Sequence, residues 1–142
     1  MLIRKFQKED IAQVAGIWLS ANISAHDFVP AQYWQSHFDT VKEQLLEAEI
    51  YVCEDGGDIL GFVGMSSDYI AGLFVSGEAQ SQGIGRRLLD FVKSGKEELR
   101  LNVYQKNKRA IHFYLREGFE IRREGLDENT GEKECEMIWC RK

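Results

Sequence analysis

The chain has 142 residues, a formal net charge of −5 and 44% hydrophobic residues. This is the composition of an ordinary globular protein, and the length predicts a single domain over residues 1–142. The acidic balance argues against binding to nucleic acid or to an anionic membrane, since both favour a basic protein surface.

The first part of the chain is predicted to form a strand, a pair of helices and a β-hairpin. Glu9 and Asp10 favour the start of the first helix, and Pro30 separates that helix from the second. The run from Asp55 to Asp58 contains two glycines and tolerates positive φ, so it favours a hairpin turn. The predicted elements are a strand at 2–6, helices at about 8–22 and 31–48, and strands at 50–54 and 59–65.

The second part continues with a strand at 69–75, a glycine-bearing loop and an amphipathic helix that begins at about Gly83 and ends at Gly95. A strand at 99–103, a helix at 107–117 closed by Gly118, and strands at 119–125 and 133–140 complete the chain. The last strand could leave a sheet edge free for a partner, or its acids Glu132, Glu134 and Glu136 could guard that edge. We expect a monomer or a weak homodimer.

The loop before the third helix has the spacing Q-x-x-G-x-G in Gln80, Gly83 and Gly85. Glycines let a ligand approach the backbone, and the first N–H groups of a helix have no partner within it, so the loop suits a phosphate. Arg86 and Arg87 add positive charge for a pyrophosphate. A dinucleotide fingerprint would need a third glycine three residues after Gly85, where Leu88 stands. A nucleotidase loop would need Lys-Ser/Thr directly after Gly85, where Arg86 and Arg87 stand, so both alternatives fail.

Two segments resemble the GCN5-related N-acetyltransferase (GNAT) family. The run LFVSGEAQSQGIG, which begins at Leu73, is similar to the family's acetyl-coenzyme A motif, and NVYQKNKRAIHFYLREGF, from Asn102 to Phe119, resembles its second cofactor segment. The resemblance implies an α/β (α+β) GNAT fold. In that fold a mixed central sheet of about seven strands is flanked by four helices and splayed between the fourth and fifth strands.

The resemblance also implies that acetyl-CoA binds as cosubstrate and that no metal takes part. The residues it assigns to acetyl-CoA are the main chain of Phe74 and Val75, the loop and helix start at Gln80, Ser81, Gln82, Gly83, Ile84, Gly85 and Arg86, and Asn107 and Ala110. Asn107 is also a natural helix N-cap. The basic residues Lys106, Lys108 and Arg109 suit a nucleotide phosphate, although such a run is more often a solvated face.

Tyr114 looks like the family's catalytic tyrosine, which protonates the departing thiolate, and the residues alone allow a core aromatic instead. His26 and Phe28 lie between the first two helices, in a segment that lines the acceptor groove in this family, and we expect them to bind substrate. A loop histidine held by hydrogen bonds is the alternative for His26. The general base stays open among Glu78, Asp68, His26 and Asp27.

The main hypothesis is an N-acetyltransferase that moves an acetyl group from acetyl-CoA directly to a primary amine in a ternary complex. The acceptor could be a protein lysine, a protein N-terminus or a small amine, and the alternative is a non-catalytic acyl-CoA binding or sensing module. The cysteines Cys53, Cys135 and Cys140 have no basic neighbour in sequence and no metal-ligand spacing, so an acyl-cysteine route is not expected. Because no apolar signal region is present, we expect a cytoplasmic protein.

Overall fold

A seven-stranded mixed sheet organises the structure, a computed structural model that describes residues 1–142. The strands are β1 (Leu2–Lys5), β2 (Glu49–Asp55), β3 (Asp58–Ser66), β4 (Tyr69–Val75), β5 (Glu98–Tyr104), β6 (Glu120–Leu126) and β7 (Lys133–Cys140). The helices are α1 (Ile11–Ala25), α2 (Ala31–Glu47), α3 (Ile84–Lys93) and α4 (Lys108–Arg116), and single 3-10 turns lie at Lys8–Asp10 and Gly77–Ala79. The predicted fold class and element order are confirmed.

The two faces of the sheet carry different cores, because successive strand residues point to opposite faces. On one face, Val63, Leu101 and Met137 belong to a buried cluster that includes Leu88 and Leu89 of α3. On the other face, the buried cluster joins α1 to β2 and β3 and contains Val14, Ile17, Ile50, Val52, Ile59 and Phe62. Helix α2 packs against α1, and Trp34 is its one buried residue. The sheet is therefore covered by α3 and α4 on one side and by α1 on the other.

The fourth and fifth strands diverge soon after they begin. β4 pairs with β3 along its length, whereas its parallel pairing with β5 is confined to Tyr69 opposite Arg100. Ala71 is an extra residue in β4, since Gly64 pairs with Gly72 while Met65 pairs with Ile70, and such a bulge bends a strand. One edge of β4 is consequently unpaired beyond the bulge, which confirms the splay that the family resemblance implies.

The expectation that the last strand lies at a sheet edge is wrong. β7 pairs with β5 on one side and with β6 on the other, and β6 is the edge strand. Cys135 and Met137 of β7 are buried, whereas every residue of β6 is exposed, so the interior position suits β7. The acids Glu134 and Glu136 therefore lie on one face of the sheet and do not guard an edge.

Candidate functional site

A cavity of about 310 Å³ occupies the gap between β4 and β5. Its walls combine the two sides of the sheet, with Trp18, Asn22, His26 and Trp34 from the α1 and α2 side and Asn107, Ala110 and Tyr114 from the α4 side. Phe74 also lines it, whereas Phe28 is not part of the wall and its ring lies 5.6 Å from that of His26. The structure thus brings together residues that the sequence assigned separately to cofactor, acceptor and catalysis.

The loop between β4 and α3 forms a row of free backbone donors. Ser81 and Gly83 have left-handed backbone conformations, with φ of 68° and 77°. The N–H groups from Ser81 to Arg86 have no acceptor in the protein, and the first intrahelical bond runs from the Arg87 N–H to the Gly83 carbonyl at 3.0 Å. Free N–H groups at the positive end of a helix dipole suit an anion such as a pyrophosphate.

Two neighbouring arginines point in different directions. Arg86 is largely exposed at the start of α3, and its nearest acids, Asp90 and Glu117, lie 3.9 and 3.8 Å away. Arg87 instead turns toward the N-terminus, where its Nη1 donates to the Sδ of Met1 at 3.5 Å. Of the two arginines predicted to serve a pyrophosphate, Arg86 therefore lies free of close ion pairs at the start of α3, and Arg87 lies toward Met1.

One member of the basic cluster at α4 reaches the same loop. Arg109 Nη1 donates to Gln80 Oε1 at 3.2 Å, which brings a positive charge from α4 to the donor row. Lys106 is engaged elsewhere, because its Nζ lies 3.1 Å from Glu132 Oε1. Lys106 is therefore ion-paired, and Arg109 is the cluster member that lies at the loop.

The remaining cofactor candidates shape the surface beside this loop. Phe74 and Val75 of β4 are paired with residues of β3. The other edge of their backbone therefore faces the gap and can accept an extended chain as an added strand. A Cβ at Gly85 would lie 3.4 Å from the Phe113 ring, so this glycine allows α3 to begin close to α4. Ile84 is buried in the core and anchors the first turn.

Tyr114 lies both in the core and at the wall of the cavity. Its ring is packed in the core, with centroids 5.1 Å from Phe113 and 5.4 Å from Phe119, and the residue also lines the cavity. Burial raises the pKa of Tyr114 well above its ordinary value. The hydroxyl therefore stays protonated at neutral pH and can donate a proton to a strongly basic group in the cavity.

His26 is buried and held by both ring nitrogens. Asn22 Nδ2 donates to the Trp18 carbonyl, so the oxygen of the same amide faces His26 Nδ1 at 3.0 Å and requires a proton on Nδ1. Asn107 Oδ1 accepts the Ala110 N–H as an N-cap, so Asn107 Nδ2 faces His26 Nε2 at 3.1 Å and donates to it. His26 is thus a neutral imidazole whose lone pair is already used.

The His26 environment supports that protonation state and weakens the case for a base. Burial lowers the pKa of His26 from 6.5 to about 4. The ring is surrounded by aromatic groups, with centroids 4.8 Å from Tyr104 and 5.6 Å from Trp34. His26 therefore joins α1 to the start of α4, which favours the hydrogen-bonded alternative over a group that takes protons.

The other base candidates from the sequence lie outside the cavity, whose wall contains neither Glu78, Asp68 nor Asp27. Asp68 lies in the turn between β3 and β4, 3.9 Å from Lys96. Two acids that were not among the base candidates, Asp127 and Glu134, do line the cavity. The signal that could have found Glu134 is the alternation in β7, where acids at 134 and 136 are interleaved with apolar residues at 135 and 137.

No three or more histidine, cysteine, aspartate or glutamate side chains are grouped so that they could hold a metal ion. The helices include none with the length and apolar character needed to cross a membrane.

Comparison with known proteins agrees with this geometry. An acetyltransferase (GNAT) domain model matches residues 47–121. The peptidyl-lysine N-acetyltransferase YiaC of Escherichia coli (strain K12) is 36% identical over 122 residues, which are 84% of each chain. The peptidyl-lysine N-acetyltransferase YjaB of the same strain is 31% identical over 120 residues, 84% of this chain and 82% of that one.

The solution structure of the apo form of E. coli YjaB has the same fold, with a TM-score of 0.88 at 26% identity over 97% of this chain and 96% of that chain. The family match, the sequence relatives and the shared fold confirm the resemblance found in the two sequence motifs. The chain therefore belongs to the GCN5-related N-acetyltransferase (GNAT) family of acetyl-CoA-dependent acetyltransferases.

Proposed function

We propose that this protein transfers the acetyl group of acetyl-CoA directly to the side-chain amine of a protein lysine, with both substrates bound at the gap between β4 and β5. The single observation that carries the proposal is the shared cavity, in which Phe74, Tyr114 and His26 face one space. Of the acceptors left open by the sequence, lysine is favoured because relatives 36% and 31% identical are named peptidyl-lysine N-acetyltransferases.

The residues present fit acetyl-CoA, which supplies an acetyl group activated as a thioester. The free N–H groups from Ser81 to Arg86 and the Arg86 guanidinium would hold the pyrophosphate, and Arg109 places a further positive charge beside Gln80. The unpaired edge of β4 at Phe74 and Val75 would bind the extended pantetheine arm through the main chain. Backbone N–H groups near Phe74 would then meet the oxyanion.

Tyr114 would act as the general acid for the leaving sulfur. Its proton stays in place at neutral pH because the ordinary pKa of a phenol is about 10 and burial raises the pKa of Tyr114 further. The ordinary thiol pKa is about 8.5, and burial also raises the proton affinity of a thiolate, so the transfer from tyrosine remains feasible in the cavity. Direct attack by the amine is supported by the placement of the thiols, since the cavity wall contains no cysteine and burial raises the pKa of Cys53 and Cys135.

The proposal is tested by measuring thiol release and acetylation of lysine peptides with the wild type and the Tyr114→Phe variant. We expect kcat to fall about 10²–10⁴-fold in the variant, the range for loss of a general acid, while acetyl-CoA binding measured by calorimetry is retained. The ring contacts with Phe113 and Phe119 survive this substitution, so the fold should survive as well.

Tyr51→Phe provides a matched control, because the Tyr51 hydroxyl donates to the exposed Glu49 carboxylate, outside the cavity. This control should acetylate at the wild-type rate. Tight acetyl-CoA binding without acetylation of any amine in a broad panel would contradict the proposal and favour the acyl-CoA binding module. Equal rates for Tyr114→Phe and the wild type would remove the acid role from Tyr114.

A further inference from the structure

Two carboxylates, Asp127 and Glu134, lie in the wall of the cavity that also contains Tyr114. Asp127 follows β6, at the start of the loop that leads to β7, and Glu134 lies in β7 opposite Tyr104 of β5. Both acids are on elements beyond β5, whereas the free donor row that fits pyrophosphate lies between β4 and α3. The cavity thus has an acidic part that is separate from the anion-binding loop.

The two carboxylates are held differently. Asp127 Oδ2 accepts the Tyr104 hydroxyl at 2.6 Å and its Oδ1 accepts the Asn129 N–H at 2.9 Å, so this carboxylate is fixed in place. Glu134 receives one long contact, from Asn102 Nδ2 to Oε1 at 3.4 Å. Glu134 therefore keeps most of its acceptor capacity for a ligand.

The basic side chains near this part of the cavity are engaged elsewhere. Lys106 pairs with Glu132 at 3.1 Å, and Arg123 pairs with Glu136 at 3.2 Å. Arg100 lies over the Tyr69 ring, 5.8 Å from its centroid. The negative charges of Asp127 and Glu134 are consequently left without an ion-pair partner, which favours a cationic ligand.

A second observation indicates that a ligand occupies this cavity. Trp34 is 7% exposed and lines the same wall, and its indole N–H has no acceptor in the protein. Buried donors are normally paired, so an unpaired donor in a cavity wall calls for an acceptor in whatever fills the cavity. The rings of Trp18, Tyr69 and Tyr104 line the cavity as well, and aromatic faces suit both an alkyl chain and an ammonium.

We propose that Glu134 binds the ammonium of the acceptor lysine and takes a proton from it, with the fixed Asp127 charge beside it. This inference rests on the proposed function and names its base. The ammonium gives up two protons in all. The first goes to the Glu134 carboxylate and then to solvent. As the C–N bond forms and the C–S bond breaks, Tyr114 protonates the sulfur, and the second proton from nitrogen restores the Tyr114 hydroxyl.

Burial and the charge of Asp127 increase the affinity of Glu134 for a proton. Burial, and then the Asp127 charge, raise the pKa of the Glu134 carboxyl above its ordinary value. The titratable groups around it are Asp127 before β7, Tyr69 on β4 and Tyr104 opposite it on β5. Further along the same sheet face lie Arg100 on β5, Glu136 on β7 and Arg123 on β6, the last two paired with each other. This rise makes the pKa difference between the Glu134 carboxyl and the lysine amine smaller, since the reference pKa of the amine is about 10.4.

The test compares Glu134→Gln with Glu136→Gln across pH, using one lysine peptide and saturating acetyl-CoA. The glutamine at 134 keeps an oxygen for Asn102, and the control removes the same charge on the same strand face, outside the cavity wall. We expect kcat/KM of Glu134→Gln to fall about 10²–10⁴-fold near pH 7.5 and the deficit to shrink toward pH 10, where lysine loses its own proton. Glu136→Gln should follow the wild-type profile.

A second acceptor peptide distinguishes loss of proton removal in Glu134→Gln from mere misplacement of the acceptor amine. A peptide with S-(2-aminoethyl)cysteine in place of lysine carries a less basic amine, so Glu134→Gln should lose less activity with it than with lysine. Equal loss for both peptides at every pH, or wild-type rates in Glu134→Gln, would overturn the role of Glu134 while leaving the lysine acetyltransferase intact. A wild type that acetylates no lysine would overturn both proposals.

Discussion

The buried His26 imidazole makes the stability of the protein depend on pH in a way that can be calculated. Its folded-state pKa is about 4, against an ordinary value of 6.5, because burial disfavours the charged ring. The folded protein therefore keeps His26 neutral at pH values where the unfolded chain already binds a proton. The stabilisation from the neutral ring is complete above about pH 6.5 and is lost as the pH falls toward 4.

The size of the effect follows from the two pKa values. Linkage gives a loss of about 2 kcal/mol in the free energy of unfolding by pH 5 and about 3 kcal/mol by pH 4. The hydrogen bonds of His26 also predict that protonation destabilises the fold, because a proton on Nε2 would face the Asn107 Nδ2 donor that lies 3.1 Å away. Acid should therefore weaken the connection between α1 and α4 before it unfolds the sheet.

The assay is urea unfolding of the wild type and His26→Gln at pH 7, 6 and 5. Carboxylates such as Asp10, whose pKa is lowered mainly by its hydrogen bond from Arg4, also lose stabilisation in acid, so the difference between the two proteins isolates His26. His37→Gln removes an exposed imidazole from α2 and serves as the control. The reasoning is refuted if the unfolding free energies of the wild type and His26→Gln fall in parallel with pH.

Two further predictions concern the backbone of the site. Gly83→Ala should lower the free energy of unfolding by about 1–2 kcal/mol and weaken acetyl-CoA binding, because the backbone φ at Gly83 is 77°. The control Gly16→Ala, in α1, places a Cβ that meets no atom within 4 Å, so it should be neutral or stabilising. Thermal unfolding measures the stability of both variants, and calorimetry measures their acetyl-CoA binding. Asn107→Ala should lose about 0.5–2 kcal/mol with the N-cap. Asn107→Asp keeps the cap and places a carboxylate beside His26, so it should reduce the loss of unfolding free energy in acid. An unfolding free energy with the same pH dependence as that of the wild type would argue against the contact between His26 and residue 107.

Features set by a few neighbouring residues could be predicted from the sequence. The start of α3 at Gly83, the Asn107 N-cap and the Gly118 end of α4 all appear where the pattern places them. Each depends on a local backbone preference that no distant contact has to supply. The glycine-bearing loop before α3 was predictable for the same reason.

The acidic part of the cavity could not be predicted in the same way. Glu134 reaches the cavity because β7 inserts between β5 and β6, and strand order depends on pairing between residues far apart in sequence. The hydrogen bond between His26 and Asn107 joins residues 81 positions apart, and no sequence pattern near either residue predicts it. Arg87 likewise follows Arg86 directly, yet its contact with Met1 turns it away from the loop.

Transfer within a ternary complex is the central claim, and two-substrate kinetics tests it most directly. Initial rates measured while acetyl-CoA and a lysine peptide are both varied should give intersecting reciprocal plots, and the protein incubated with acetyl-CoA alone should carry no acetyl group by mass spectrometry. Parallel plots together with an acetylated Cys53, Cys135 or Cys140 would contradict the claim and show that the acetyl group passes through the protein.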